Sequence, residues 1–274
     1  MLRFVWTLLL VATLGAATDF EELSRQAVND LTPTLALVMS ADQMHAANTL
    51  GGFPHWRLGL ASTFTRFAFQ NPAQEGEEAT VWLPYPYLYA QLGLYKGMSF
   101  TPLIAGVGSV DLLARFSTLS FLNRWSDNLF QMPTYWAAGA RVGLLRDRLW
   151  SPAVSLTILY GNITPLEVGA YSEEIQDTVR VKASARATAV YLSVSKNLLL
   201  LEPYLGIGYV SGSADAQFRL GDEDYQDLLN LESPSFLKTT LGLRLSVFPL
   251  ISGFGEVTFA GKHTMYGLGV NLGF

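Results

Sequence analysis

Alternation of apolar and polar side chains runs through most of this chain. From Leu237 to Val247, "LKTTLGLRLSV", one parity reads Leu237, Thr239, Leu241, Leu243, Leu245 and Val247, and the other Lys238, Thr240, Gly242, Arg244 and Ser246. "TYWAAGARVGL", "AVSLTILYG" and "PHWRLGLAST" split the same way. A period of two is the signature of a strand with two unlike faces. The pattern predicts about ten strands, at 54–68, 81–95, 108–121, 134–145, 153–164, 178–195, 203–218, 235–248, 253–260 and 264–274. Eight and twelve are the alternatives. Short turns at 95–97, 146–152 and 249–252 alternate with longer loops near 69–80, 122–133, 165–177 and 219–234. "SFTPLIAGVG" (99–108) reads either as part of strand three or as extra strand material. The polar parity of "RVKASARATAVYLSV" switches near Thr188, which predicts a bulge.

Residues 19–50 do not alternate. Thr32 reads as an N-cap with Pro33 at the first helical position. Leu37, Ala41 and Met44 follow at helical spacing, and Gly51 and Gly52 stop the run. Two short helices, 20–31 and 33–48, are expected.

Composition changes this picture from a water-soluble sheet to a membrane barrel. Half of the 274 residues are hydrophobic and only 15% are charged, against roughly 25% charged in an average domain. After residue 17 no apolar run is long enough for a spanning helix. In a membrane barrel one parity faces lipid and the other the lumen, so strands alone can be this apolar. The start, "MLRFVWTLLLVATLGAA", has Arg3, an apolar run from Phe4 to Leu14 and small residues to Ala17, the layout of a secretory signal peptide. Residues 1–17 are therefore expected to be a leader, 18–52 a helical segment, and 53–274 the barrel. There is no cysteine, which excludes disulfides and thiolate metal sites.

The last strand, "MYGLGVNLGF", puts Tyr266, Leu268, Val270, Leu272 and Phe274 on one face and Gly267, Gly269, Asn271 and Gly273 on the other. It resembles the aromatic-terminated closing strand of bacterial outer-membrane barrels, which implies recognition by the barrel-assembly machinery. The resemblance implies residence in the bacterial outer membrane, among its lipids and lipopolysaccharide. An even strand count puts both termini in the periplasm.

Parity also sorts the charges. Arg57, Arg115, Arg141, Arg180, Lys182, Arg186, Lys238 and Arg244 read as lumen-facing, against Asp111 and Glu256. The acids gather in three outer loops, Glu75–Glu78, Glu167–Asp177 and Asp222–Glu232, and in the helical segment. The expected arrangement is an acidic plug, with Asp30, Leu37, Asp42 and Met44, docked in a basic lumen. A mobile leader is the alternative. A basic lumen favours anionic or amphipathic solutes, and ion-paired packing is the structural alternative.

Enzymatic readings are thin. His45, His55 and His263 are the three histidines, and no HExxH motif occurs. A hydrolase would need His263 with Ser252 or with Asp222 and Asp224, and no oriented third partner is visible. No cofactor, metal or nucleic-acid motif appears. Amphipathic helices, Gly51–Gly52–Phe53, a strand, then "LPYPYLYAQLGLYKGM" and "GSVDLLARFS" resemble an uncharacterised family of outer-membrane barrels over residues 20–150. A helical hatch ahead of the first strand is also similar to long-chain fatty acid transporters, from which this chain departs by being shorter. The sequence thus predicts an all-β, antiparallel transmembrane β-barrel with an N-terminal helical plug. Its expected role is a passive channel or transporter for small hydrophobic or amphipathic, anionic included, solutes. A structural or surface-interaction barrel with acidic loops is the alternative, and an outer-membrane hydrolase the third reading.

Overall fold

Side-chain alternation closes the chain into a ring. The computed structural model describes residues 20–41, 47–70, 78–101, 104–118, 130–131, 134–172, 177–220, 224–228, 231–248 and 250–273. One helix, α1 (Phe20–Met39), precedes β1 (Trp56–Gln70), β2 (Glu78–Tyr95), β3 (Ser109–Thr118), β4 (Phe130–Gln131), β5 (Thr134–Leu145), β6 (Ala153–Ser172), β7 (Asp177–Ser195), β8 (Leu201–Leu220), β9 (Gln226–Asp227), β10 (Ser235–Phe248), β11 (Ile251–Ala260) and β12 (His263–Gly273). β4 and β9 are two-residue rungs beside β6 and β8. The other ten strands pair antiparallel with their sequence neighbours, and β1 pairs with β12, from Arg57 opposite Gly273 to Thr65 opposite Met265. The barrel has no free edge, as hydrocarbon demands. The expected leader and Phe274 lie outside the described residues.

The outward parity is apolar and exposed: Leu58, Leu60, Leu112, Ile158, Leu192, Leu205, Ile207, Leu243 and Leu268. In water so large a patch would be a liability; around a closed barrel it is the lipid-facing belt. Trp82, Phe116, Trp136, Tyr160, Tyr209, Phe259 and Tyr266 ring one border of it, with Trp136 against Tyr160 and Trp82 against Tyr266. Trp56, Tyr95, Trp150 and Phe248 mark the other border, at the end where β1 begins and β12 finishes. From Leu201 to Tyr209 a tilted strand climbs roughly 20 Å. The exposed Leu198, Leu199 and Leu200 of the turn below extend the belt.

Four expectations change. The segment 165–177 is mostly strand, because β6 reaches Ser172. The stretch 99–108 is neither strand three nor a barrel strand: it is a small excursion closed by a bridge between Met98 and Val107. The helix does not break at Thr32. α1 runs through Pro33, and the Thr32 hydroxyl donates to the Val28 carbonyl at 2.6 Å, the back-bond of a mid-helix threonine rather than a cap. The helix then stops at Met39, well short of Gly51 and Gly52. Those two glycines, at φ +95° and +90°, turn the chain into β1.

The fourth change concerns β7. No register shift occurs against β8 between Val179 and Ser195, so there is no bulge at Thr188. Ala185, Ala187, Ala189 and Tyr191 face inward, and Arg186, Thr188, Val190 and Leu192 outward. Arg180, Lys182 and Arg186 therefore share the outer face. Beyond the aromatic border the strand leaves the belt, its outer face becomes polar, and its inner face stays apolar because it packs on α1. Polarity inverts while the parity stays constant.

Candidate functional site

The inner wall is uneven, and its small residues decide where the helix lies. On β7 the inward side chains are Ala183, Ala185, Ala187 and Ala189, and Gly161 and Gly212 flank them on β6 and β8. A Cβ on Gly161 would meet the Met39 Cβ at 3.1 Å, and one on Gly212 the Ala36 Cβ at 2.8 Å. α1 nestles into this recess, touching β8 and β7 most extensively. The opposite wall carries Tyr85, Tyr87 and Tyr89 in a row on β2, with Tyr85 against Tyr135 and Tyr87 against Tyr89.

The helix descends through the barrel. Its upper part is level with the far ends of the strands: Val28 packs with Ala216, Phe218 and Leu228, and Asn29 Oδ1 accepts from the Glu232 amide at 2.9 Å. Lower down, Tyr135 Oη donates to the Met39 carbonyl at 2.9 Å. Lys238 Nζ donates to the Ser40 carbonyl at 2.6 Å and sits 3.9 Å from the centre of the Tyr191 ring. Leu37, Met39 and Ala41 are fully buried. Residues 47–50 then form a strap at the strand-terminal end. The described start of α1 and the end of β12 thus lie at opposite ends of the barrel, and the expected periplasmic termini themselves lie outside the described residues.

The strap is held by the wall. Ala47 N donates to Ser195 Oγ at 2.9 Å, and Asn48 Nδ2 to Glu202 Oε1 at 3.1 Å. Thr49 Oγ1 and Ser109 Oγ are 2.7 Å apart. Leu50 N donates to Asp111 Oδ2 at 2.9 Å. Behind these contacts the wall is cross-linked. Gln91 Nε2 donates to Asp111 Oδ2 at 2.6 Å, and Arg57 Nη1 to Gln91 Oε1 at 3.1 Å. Ser195 Oγ donates to Glu202 Oε1 at 2.9 Å, and Arg244 Nη1 approaches Glu202 Oε2 at 3.4 Å. Arg244 Nε also donates to Ser252 Oγ, which donates to Asn271 Oδ1.

The sequence-predicted residues separate into two groups. Arg57, Arg115, Arg141, Lys238 and Arg244 lie on the inner wall. Arg141 is fully buried, with Nε on Thr157 Oγ1 at 3.1 Å, and Arg115 stacks over the Tyr87 ring at 5.6 Å. Asp111 and Glu256 are inside too, the latter accepting from Tyr204 Oη at 2.9 Å. Arg186 is outside, paired with Asp215 at 2.5 Å with both side chains more than half exposed. Lys182 lies 5.8 Å from the ring of Tyr225, beside Arg180 on the same outer face. Of the expected plug residues, Leu37 is buried and Asp30 lies within α1, while Asp42 and Met44, like His45, fall outside the described residues.

Tyr266, Leu268, Val270 and Leu272 of β12 are exposed on the lipid side. Ser252 pairs in register with Asn271 at the strand-terminal end, and His263 with Ala260 at the opposite end. The Ser–His pairing that one hydrolase reading needs is therefore not assembled. Glu202, Gln91, Asn48, Thr49, Ser109 and Ser195 are the functional candidates that sequence reasoning missed. Glu202 stands within the apolar run "NLLLLEPYLGIGYV". Its parity, shared with Tyr204, Gly206 and Gly208, was the signal that it points inward.

No protein-family model matches the chain, and no curated protein matches its sequence. Among solved structures, the translocator domain of the autotransporter NalP from Neisseria meningitidis is similar at 12% identity and a TM-score of 0.47, with 94% of this chain and 100% of that one covered. Outer membrane protease OmpT from Escherichia coli is similar at 8% identity and a TM-score of 0.41, covering 83% and 100%. Omp33, an outer membrane protein of Acinetobacter baumannii, is similar at 8% identity and 0.31, covering 80% and 99%. All three TM-scores lie below 0.5. The membrane-barrel assignment stands on strand closure and the exposed apolar belt.

Proposed function

We propose that the protein is a bacterial outer-membrane channel for small hydrophobic or amphipathic solutes, anionic ones included, kept closed by its own N-terminal helix. The observation that carries this reading is the descent of α1 through a wall lined with Thr63, Thr157, Thr240, Thr258, Arg141 and Lys238. A polar wall suits a hydrated passage, and the helix lies inside it against β7 and β8. Arg57, Arg115, Arg141, Lys238 and Arg244 are the solute contacts of the open state; in the closed state Arg141 and Lys238 are buried. Arg180, Lys182 and Arg186 have no such role, since they face outward. The helical hatch links this reading to long-chain fatty acid transporters by analogy of arrangement alone.

In this reading the strand-terminal end is periplasmic, as short-turn ends of such barrels are. The N-terminal end of α1 then points to the cell exterior, with β6, β7 and β8 projecting past the outer leaflet and its lipopolysaccharide. The lipid-facing side chains of β12 serve the assembly machinery. A second reading, a structural or surface-interaction barrel, draws on the burial of the inner-wall side chains, which leaves the described wall tightly filled.

Planar-bilayer recordings separate the two. The full chain is expected to be silent. A chain lacking residues 18–50, checked for heat-modifiable migration as a folded barrel, is expected to conduct. A folded but silent deletion favours the structural role and removes the channel.

A further inference from the structure

We propose that the strap at residues 47–50 is a latch, closed by Asp111 and Glu202, whose release frees α1 from the lumen. The idea rests on the plugged-channel reading and adds the place where the plug is held. The geometry has three parts. First, the strap crosses the lumen. Leu50 N and Thr49 Oγ1 bond to β3, through Asp111 and Ser109, while Ala47 N and Asn48 Nδ2 bond to β7 and β8, through Ser195 and Glu202. β3 and β8 stand four neighbours apart around the ring, close to diametric in a barrel of ten long strands.

Second, four hydrogen bonds gather there within four residues. Higher up, α1 meets the wall through small apolar surfaces, Ala36 on Gly212 and Met39 beside Gly161. Its polar fastenings at that level are the Met39 and Ser40 carbonyls, which accept from Tyr135 and Lys238.

Third, both wall carboxylates keep a partner when the strap leaves. Glu202 keeps Ser195 and Arg244, and Asp111 keeps Gln91, itself held by Arg57. A latch must have a stable unlatched half, and these cross-links supply it. They also explain carboxylates at these two places: a charged acceptor makes the stronger bond to a backbone amide and to an asparagine amide.

The chain has no cysteine, so a single Ser40→Cys reports on the helix in the full-length protein. Ser40 is buried, and its thiol should label slowly in lipid vesicles. Leu50→Pro removes the amide that Asp111 accepts, and Asn48→Ala the donor to Glu202; neither touches a barrel strand. In the variant carrying both, labelling at position 40 should accelerate by roughly tenfold or more, the factor that one lost buried hydrogen bond produces, with heat-modifiable migration kept. Asp111→Asn with Glu202→Gln, which keeps acceptors but removes charge, should accelerate it less. Unchanged labelling in the strap variant overturns the latch, whether or not the 18–50 deletion conducts. Faster labelling supports the latch even if neither variant passes current, and in that case it is the channel reading that fails.

Discussion

Gly59→Ala should destabilise the folded barrel by roughly 1–3 kcal/mol, the cost of overpacking a filled site, and that loss should vanish in a chain that also carries Tyr89→Ala. Gly59 and Tyr89 are register partners on β1 and β2. A Cβ on Gly59 would lie 2.3 Å from Tyr89 Cζ and 2.5 Å from both Cε1 and Oη. The ring therefore lies flat over the glycine, and there is no room for even a methyl group. Tyr89 is buried, so Tyr89→Ala alone should cost about 3–5 kcal/mol, as other large-to-small aromatic truncations do. Once the ring is gone the added methyl fills part of the vacated space. The double-mutant cycle should then show a coupling of roughly 1–3 kcal/mol. Urea unfolding in lipid vesicles measures all four corners, and strictly additive losses would mean the ring is free to move aside. Gly242 lies under Tyr204 in the same way, at 2.1 Å. Tyr204 also donates to Glu256, so a cycle there would mix two interactions.

This pairing shows where the sequence was legible and where it was not. Alternating glycines in "MYGLGVNLGF", and Gly242 on the polar parity of "LKTTLGLRLSV", marked the inward face. Nothing local said that each of several inward glycines was the seat of an aromatic ring from the next strand, because the partner is set by register. Strand number and closure were legible, since a period of two survives in every strand and the lipid-facing parity cannot lapse within hydrocarbon. The reading failed at Arg186 because polarity is a proxy for facing only inside the apolar belt. Above Thr188 the outer face of β7 meets water, while its inner alanines and Val181 meet α1 and its neighbours, so the proxy reverses. The strap was illegible for a different reason. Ala47 and Leu50 bind through backbone amides, which every residue but proline carries. The acids of the expected plug, Asp30 and Asp42 among them, have no described side chains, and the fastening that is described is wall carboxylates gripping a neutral segment.

The belt itself predicts the last large effect. Leu205→Arg should cost roughly 2–4 kcal/mol, the depth-dependent penalty of a cation at the bilayer midplane. Leu205 faces out, and is 41% exposed to the surroundings of the isolated barrel. It stands between the leucines of the 198–200 turn and Tyr209, so its side chain is about as far from either border as an outward residue of β8 can be. Its register partners, Val194 and Leu241, are themselves lipid-facing, so no acid is at hand to neutralise the charge. Ser211→Arg, two residues past Tyr209 on the same face, should cost no more than about 1 kcal/mol, because the guanidinium reaches headgroups there. It would join a face that already carries Arg186 and Asp215 on the neighbouring rungs. The contrast between the two substitutions, read from vesicle-based unfolding, locates the border by energy and independently of the aromatic ring that marks it by composition. Equal costs at 205 and 211 would place the border of the belt elsewhere on β8 and remove the assignment of Arg186 to the headgroup side.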